Sequence, residues 1–196
     1  MGKSSKFLAA MDAYDADDAA LSRHLMEECA LSGEPDACFL MALWCSEAMP
    51  PDQVNAHLWL SMFVELAENG NLDAAWNLGQ SHRFGDLVQQ DIALANYWLE
   101  RAAKGGHAEA QHHLAWFYET GQYDYPLNQS LAEDWYRKAF EQGHPETLYE
   151  FAMRQYEDGK PNQTGLELLI AAANKGFKQA EHVLRALSPG WDNKKT

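Results

Sequence analysis

Apolar residues recur along this chain at intervals of three and four, the spacing that lines up one face of an α-helix. Ala95, Trp98 and Ala102 form one such set, and Ala132, Trp135 and Ala139 form another. They lie in "DIALANYWLERAAKGG" (91–106) and "QSLAEDWYRKAFEQG" (129–143). A second kind of helical segment precedes each of these. Its copies are "DACFLMALWCSEA" (36–48), "DAAWNLGQSHRFG" (73–85), "EAQHHLAWFYETG" (109–121) and "ETLYEFAMRQYEDG" (146–159). Three of the four end in glycine, which enters the left-handed region at low cost and so stops a helix. Loops follow, some with proline: Pro50–Pro51, Pro126 and Pro161. No alternating run bounded by turns competes as a strand.

The pairs of helices repeat. Units close on "LAENGN" (66–71), "AAKGGH" (102–107), "AFEQGH" (139–144) and "AANKGF" (172–177), with a fainter "CALSGE" (29–34). The anchoring glycines Gly33, Gly70, Gly106, Gly143 and Gly176 are 37, 36, 37 and 33 residues apart. One helical hairpin cannot bury its apolar face alone, whereas stacked hairpins can. The expected fold is therefore all-α, a right-handed α-solenoid of four to five stacked antiparallel hairpins. Four repeats are placed at 34–70, 71–106, 107–143 and 144–176. Residues 1–33 are assigned to a degenerate N-terminal hairpin, 177–188 to a closing helix and 189–196 to a frayed tail. Trp59 lies 11 residues before its glycine, where Trp98 and Trp135 lie 8 before theirs, so the second helix of the first repeat gains about one turn.

The phrase "AEAQHHLAWFYETG…SLAEDWYRKAFEQGH" closely resembles a Sel-one-like repeat (SLR), a relative of the tetratricopeptide repeat. The likeness is strong over 71–144, good over 145–176 and looser over 34–70. It implies a curved α-solenoid whose first helices line the concave side, and protein–protein binding, usually without catalysis. Some secreted bacterial members carry a disulfide in every repeat, and this chain does not.

Charge narrows the partner. The formal net charge is −14, which opposes binding to phosphate backbones and to anionic membranes and favours a basic protein. Residues 1–70 hold 12 acids against 3 bases, while residues 145–196 hold 7 of each. Cys29, Cys38 and Cys45 are too few and odd in number for a disulfide framework. Along a helix Cys38 and Cys45 stand about 10 Å apart, too far to bridge. They read as small buried residues of a reducing compartment. The five apolar residues 7–11 are too few for a signal peptide, and no run approaches the about 18 of a membrane span. A cytoplasmic location is expected.

Three histidines and two glutamates in "HAEAQHHLAWFYETG" (107–121) raise the question of a metal. A helical zinc pair needs histidines four apart, but His112 and His113 are adjacent and diverge by about 100°. Glu109 shares a face with either one, giving two ligands at most. His107 occupies the repeat-end slot that His144 occupies one unit later. No metal, cofactor or catalytic group is therefore expected; nucleophile elbows and phosphate loops are absent, and nothing pairs a cysteine with a histidine.

Reading down the aligned first helices gives three columns. Phe39, Trp76, His112 and Tyr149 form an aromatic row. Asp36, Asp73, Glu109 and Glu146 form an acidic row three residues earlier. Leu43, Gln80, Trp116 and Met153 lie four after the aromatics, completing an i, i+3, i+7 stripe, and Glu119 extends it on the third repeat. The resemblance places this stripe in the concave groove. The acids also complement helix N-termini, and the aromatics also suit burial between units, so both rows carry two readings. Arg83 is the base near the stripe, with Asp73 and Asp86 within reach. Met41, Leu78 and Leu114 are assigned to the interior, with Ala42, Gly79, Ala115 and Ala152 where helices pack closely. The stripe marks a binding face for a basic protein. A toxin-neutralising immunity or inhibitor protein is the specific reading; a housekeeping adaptor or scaffold and a metal- or cysteine-dependent enzyme are the alternatives.

Overall fold

A computed structural model describes residues 4–47, 53–157 and 160–188. The Pro50–Pro51 loop, the Gly159 stop and the 189–196 tail lie outside these residues. The chain divides into two compact units, residues 1–107 and 108–196. Unit 1 holds α1 (Ser5–Asp15), α2 (Ala19–Leu31), α3 (Pro35–Glu47), α4 (Gln53–Glu68), α5 (Leu72–Phe84) and α6 (Ile92–Gly105). Unit 2 holds α7 (Ala108–Thr120), α8 (Gln129–Glu141), α9 (Pro145–Met153), α10 (Gln163–Asn174) and α11 (Lys178–Leu187). Within each unit every helix packs on the next, most heavily inside the pairs α1/α2, α3/α4, α5/α6, α7/α8 and α9/α10. The fold is all-α, of the α-solenoid class.

Local sequence sets the helix ends. Asn71, Asp91, Asn128 and Asn162 cap α5, α6, α8 and α10, each side chain accepting the N–H three residues on. Asn128 and Asn162 head N-x-Ser/Thr triplets, and their amides serve here as caps. Gly106 closes α6 at φ +105°, and nothing lies within 4 Å of where its Cβ would be. Backbone conformation alone selects glycine there. The second helix of the first repeat, α4, has 16 residues against 14 for α6 and 13 for α8, the extra length that the Trp59 offset predicts.

The core follows the two apolar faces. Met41, Leu78 and Leu114 are buried, as are Trp59, Phe63 and Trp98 of the second helices. At Gly79 an added Cβ would lie 3.2 Å from the Ala95 carbonyl oxygen, so α5 and α6 meet almost backbone to backbone. Ala42, Ala115 and Ala152 are fully buried at the equivalent positions.

One element differs from expectation. The helix predicted over 146–159 stops at Met153. Tyr156–Glu157 (β1) then pairs antiparallel with Lys160–Pro161 (β2), a ladder too short to show as alternation. The residue before a proline avoids the helical region, so Pro161 favours an extended Lys160. The Asn162 N–H donates to the Gln155 carbonyl at 3.0 Å and draws the chain back to α10.

None of the three cysteines forms a disulfide, and all three are buried. Burial pushes the Cys38 thiol up to about 11, away from the thiolate that reacts. Cys38 is therefore expected to resist iodoacetamide at pH 8 in folded protein and to react once urea unfolds it. Mass spectrometry of the quenched mixture checks this, and rapid native labelling at Cys38 would refute it.

Candidate functional site

The first helix of a hairpin carries the aromatic and the acid, and in two hairpins a histidine after the closing glycine returns to both. In unit 1, His107 Nε2 lies 3.2 Å from Asp73 Oδ1, and the His107 ring stacks on Trp76 at 5.7 Å and 22°. In unit 2, His144 Nε2 lies 2.7 Å from Glu109 Oε2, and its ring stacks on His112 at 4.8 Å and 28°. Phe177 holds the same slot after α10 and packs on Tyr149 at 5.2 Å. The repeat-end residue is thus a clasp between the two ends of its own hairpin.

These contacts settle how the rows are used. Phe39 packs on Phe63 at 5.7 Å, so every member of the aromatic row rests against a ring. Phe39, Trp76 and Tyr149 are half-buried, while His112 is 5% exposed and lies inside rather than on a surface. Acids of the row serve as intramolecular acceptors as well as sitting at helix starts. Asp36 accepts from Asn77 Nδ2 at 3.4 Å, whereas Glu146 Oε2, 3.6 Å from His112 Nε2, is too far for a hydrogen bond. The imidazoles of His113 and His144 hold the Glu109 carboxyl far below its usual range. Arg83 is buried, its guanidinium 6.0 Å from the Trp76 ring centre. Glu119 accepts from the buried Tyr136 hydroxyl at 2.8 Å. Burial, and then that bond, raise the Tyr136 phenol.

The third column is different. Leu43, Gln80 and Trp116 are half-buried and Met153 is 37% exposed. One helical turn beyond Gln80, Phe84 is 62% exposed, a surface aromatic that the column alignment missed.

In unit 2 the buried polar groups form a one-way chain. His144 is the N-cap of α9, and its Nδ1 accepts the Thr147 N–H. Its Nε2 therefore carries the proton shared with Glu109. Thr147 Oγ1 lies 3.0 Å from His144 Nδ1 and 3.0 Å from His112 Nδ1. A hydroxyl has one proton, and His144 Nδ1 offers a lone pair, so Oγ1 donates to His144 and accepts from His112 Nδ1–H. The order is His112 to Thr147 to His144 to Glu109. His112 Nε2 is left with its lone pair. Burial first, then the electrostatic influence of the neighbouring His144 and His113, lower the His112 imidazole to about 3 and keep it neutral.

His112 Nε2 faces the carboxylates of Glu146 and Glu150, the three ligand atoms lying within 4.8 Å of one another. The count of two possible ligands held only within one helix. The other two come from α9, at the start of the next hairpin, and residues 34 and 38 positions apart are not paired by any helical spacing. Glu146 and Glu150 do share the i, i+4 spacing of one helix face, which is the signal that could have found them.

A chain of helix hairpins closed by left-handed glycines, three of them with a clasp after the glycine, defines a helical repeat protein. The Sel1 repeat model matches residues 35–67, 72–107 and 108–144. The chain belongs to the Sel1 repeat family, whose members are generally protein–protein interaction modules and typically non-enzymatic scaffolds. It is 30% identical over 117 residues to an uncharacterised protein of Neisseria meningitidis serogroup B, a match covering 60% of this chain and 23% of that protein. A Sel1 repeat protein from Oxalobacter formigenes is similar in structure, with TM-score 0.55 and 30% identity over 65% of this chain and 97% of its own. A protective antigen of uropathogenic Escherichia coli with an SLR fold gives TM-score 0.56 at 22% identity, over 92% of this chain and 40% of its own. No helix among the described residues is long and apolar enough to cross a membrane.

Proposed function

We propose that this chain is a non-enzymatic module that binds a basic protein on its first-helix faces, in the cytoplasm, without a nucleic-acid or membrane partner. One observation carries the reading. All four aromatics and the acids Asp36, Asp73 and Glu109 are occupied by contacts inside the chain, while the column of Leu43, Gln80, Trp116 and Met153 varies in chemistry and keeps exposed surface. Packing positions are held alike, as Ala42, Gly79, Ala115 and Ala152 are; binding positions are free to differ. Tryptophan and methionine also suit anchors at an interface. The acidity supports a basic partner. Unit 1 holds 16 acids against 6 bases and unit 2 holds 13 against 9, so the steering field is stronger on unit 1.

The test is a pull-down from the source organism followed by titration of what it returns. One stoichiometric basic protein supports an inhibitor or immunity role, and many weak partners support an adaptor. For a purified partner, Trp116→Ala and Trp76→Ala are each expected to weaken binding by about 1 kcal/mol or more, roughly fivefold, as anchors do. Calorimetry reads the change, with circular dichroism to check the fold. Trp76 also stacks on His107, so Met153→Ala, at an exposed position, is the cleaner third variant. Unchanged affinity in all three would remove the stripe from the interface.

A further inference from the structure

The cluster at the start of α9 is not explained by packing or by partner binding. His112 Nε2, fixed as a lone pair by the chain through Thr147 and His144, points at two carboxylates. His112 is 5% exposed, and the 3.6 Å from its Nε2 to Glu146 Oε2 is beyond hydrogen-bond length. Glu150 Oε2 is buried and accepts no hydrogen bond. Acceptors gathered this closely repel one another, and leaving a buried carboxylate oxygen unpaired is costly. A cation among them relieves both. We propose that His112, Glu146 and Glu150 bind one divalent transition-metal ion, through His112 Nε2 and one carboxylate oxygen from each glutamate.

The donor set selects the ion. An imidazole nitrogen with two carboxylates suits zinc and its first-row neighbours, whereas calcium and magnesium ask for oxygen ligands and more of them. Ligands about 2.0–2.2 Å from a tetrahedral zinc stand roughly 3.3–3.6 Å apart. His112 and Glu146 already have that separation at 3.6 Å. The remaining atoms lie within 4.8 Å, about 1 Å of closure for flexible glutamate side chains. A metal-bound histidine characteristically donates its other ring N–H to a partner that fixes its tautomer, and Thr147 is placed to be that partner. The Glu146 side chain is 45% exposed, which opens a path for the ion and a place for a water ligand. His112 belongs to α7 and both glutamates to α9, so the ion would fasten one hairpin of unit 2 to the next.

The test uses the whole chain without a histidine tag, stripped with EDTA and titrated with Zn²⁺ at pH 7.5. Calorimetry is expected to show one Zn²⁺ per chain, with a rise in melting temperature. Glu146→Gln and Glu150→Gln keep the side-chain shapes and are each expected to weaken binding at least tenfold. His182→Ala removes an exposed imidazole on α11 and is expected to leave binding unchanged. Histidine ¹⁵N spectra give a readout that needs no variant: saturating Zn²⁺ moves the His112 Nε2 resonance. No saturable uptake by folded protein, uptake unaltered in the double glutamine variant, or an unmoved His112 signal would each overturn the proposal.

Discussion

Replacing Thr147 with valine is expected to destabilise unit 2 by about 2–4 kcal/mol, although the two side chains have nearly the same shape. Thr147 is fully buried in the first turn of α9. Its hydroxyl is the middle of the chain that joins α7 to α9, 3.0 Å from both His112 Nδ1 and His144 Nδ1. Valine leaves His112 Nδ1–H without an acceptor in the interior, at about 1–3 kcal/mol for an unsatisfied buried group. His144 Nδ1 keeps only the Thr147 N–H at 3.4 Å, a weak bond, so the grip of His144 on Glu109 loosens as well. Thr147→Ser is the control. It removes one methyl group, at about 1 kcal/mol, and keeps the hydroxyl. Urea denaturation followed by circular dichroism compares the three proteins. If valine costs no more than serine, the hydroxyl does not join the two imidazoles and the assigned proton order is wrong.

That chain of bonds also shows what the sequence could and could not reveal. The hairpins were legible because their causes are local. A helical face, a capping asparagine and a left-handed glycine each act within a few residues, and Gly106 fits its φ of +105° wherever the rest of the chain lies. The early end of α9 was not legible because its cause is tertiary. At Gly165 a Cβ would lie 2.9 Å from Gln155 Cβ and 3.1 Å from Pro161 Cβ, a close approach set by the returning ladder. The columns of the candidate face were legible as columns, but their partners were not. Asp73 meets His107 and Glu109 meets His144 across a whole hairpin, 34 and 35 residues away. Both histidines could be seen in one repeated slot and both acids in one repeated row. Their contact follows only when α5 is folded on α6 and α7 on α8.

The same distinction separates the two uses of the first helices. Asp73, Trp76, Glu109, His112 and Tyr149, which look like a binding surface in sequence, meet a repeat-end residue once the hairpin closes. The Leu43, Gln80, Trp116 and Met153 column instead varies in chemistry from repeat to repeat, and the glutamates facing His112 belong to one repeat alone. Glu150 stands one position past the aromatic row, where an acidic residue reads as part of a solvated helix face. Its position beside Glu146, Glu119 and a neutral imidazole disfavours its charge.

Glu150→Gln is accordingly expected to raise the stability of the metal-free protein at pH 8, by about 1–3 kcal/mol, and to change little at pH 4. Burial first, then repulsion from Glu146 and Glu119, push the Glu150 carboxyl up to about 7, against the opposing pull of Arg154. The folded chain thus keeps a proton that the unfolded chain has released near its ordinary 4.5. Where the folded state binds more protons, stability falls as pH rises, here from about 4.5 to 7, and levels off above. The full shift corresponds to about 3 kcal/mol at 1.36 kcal/mol per unit, and partial solvent access reduces it. His112 works with the opposite sign. Its imidazole is lowered from 6.5 to about 3, so stability is lost as pH falls below 6.5. That loss is common to both proteins and largely cancels in their difference. Urea midpoints from pH 4 to 9 in EDTA therefore give a difference curve that climbs between about 4.5 and 7. A flat curve would mean that the Glu150 carboxylate is not destabilised. With saturating Zn²⁺ the difference at pH 8 narrows by at least about 1.4 kcal/mol, because the wild-type chain binds the ion at least tenfold more tightly and turns the clustered carboxylates into ligands.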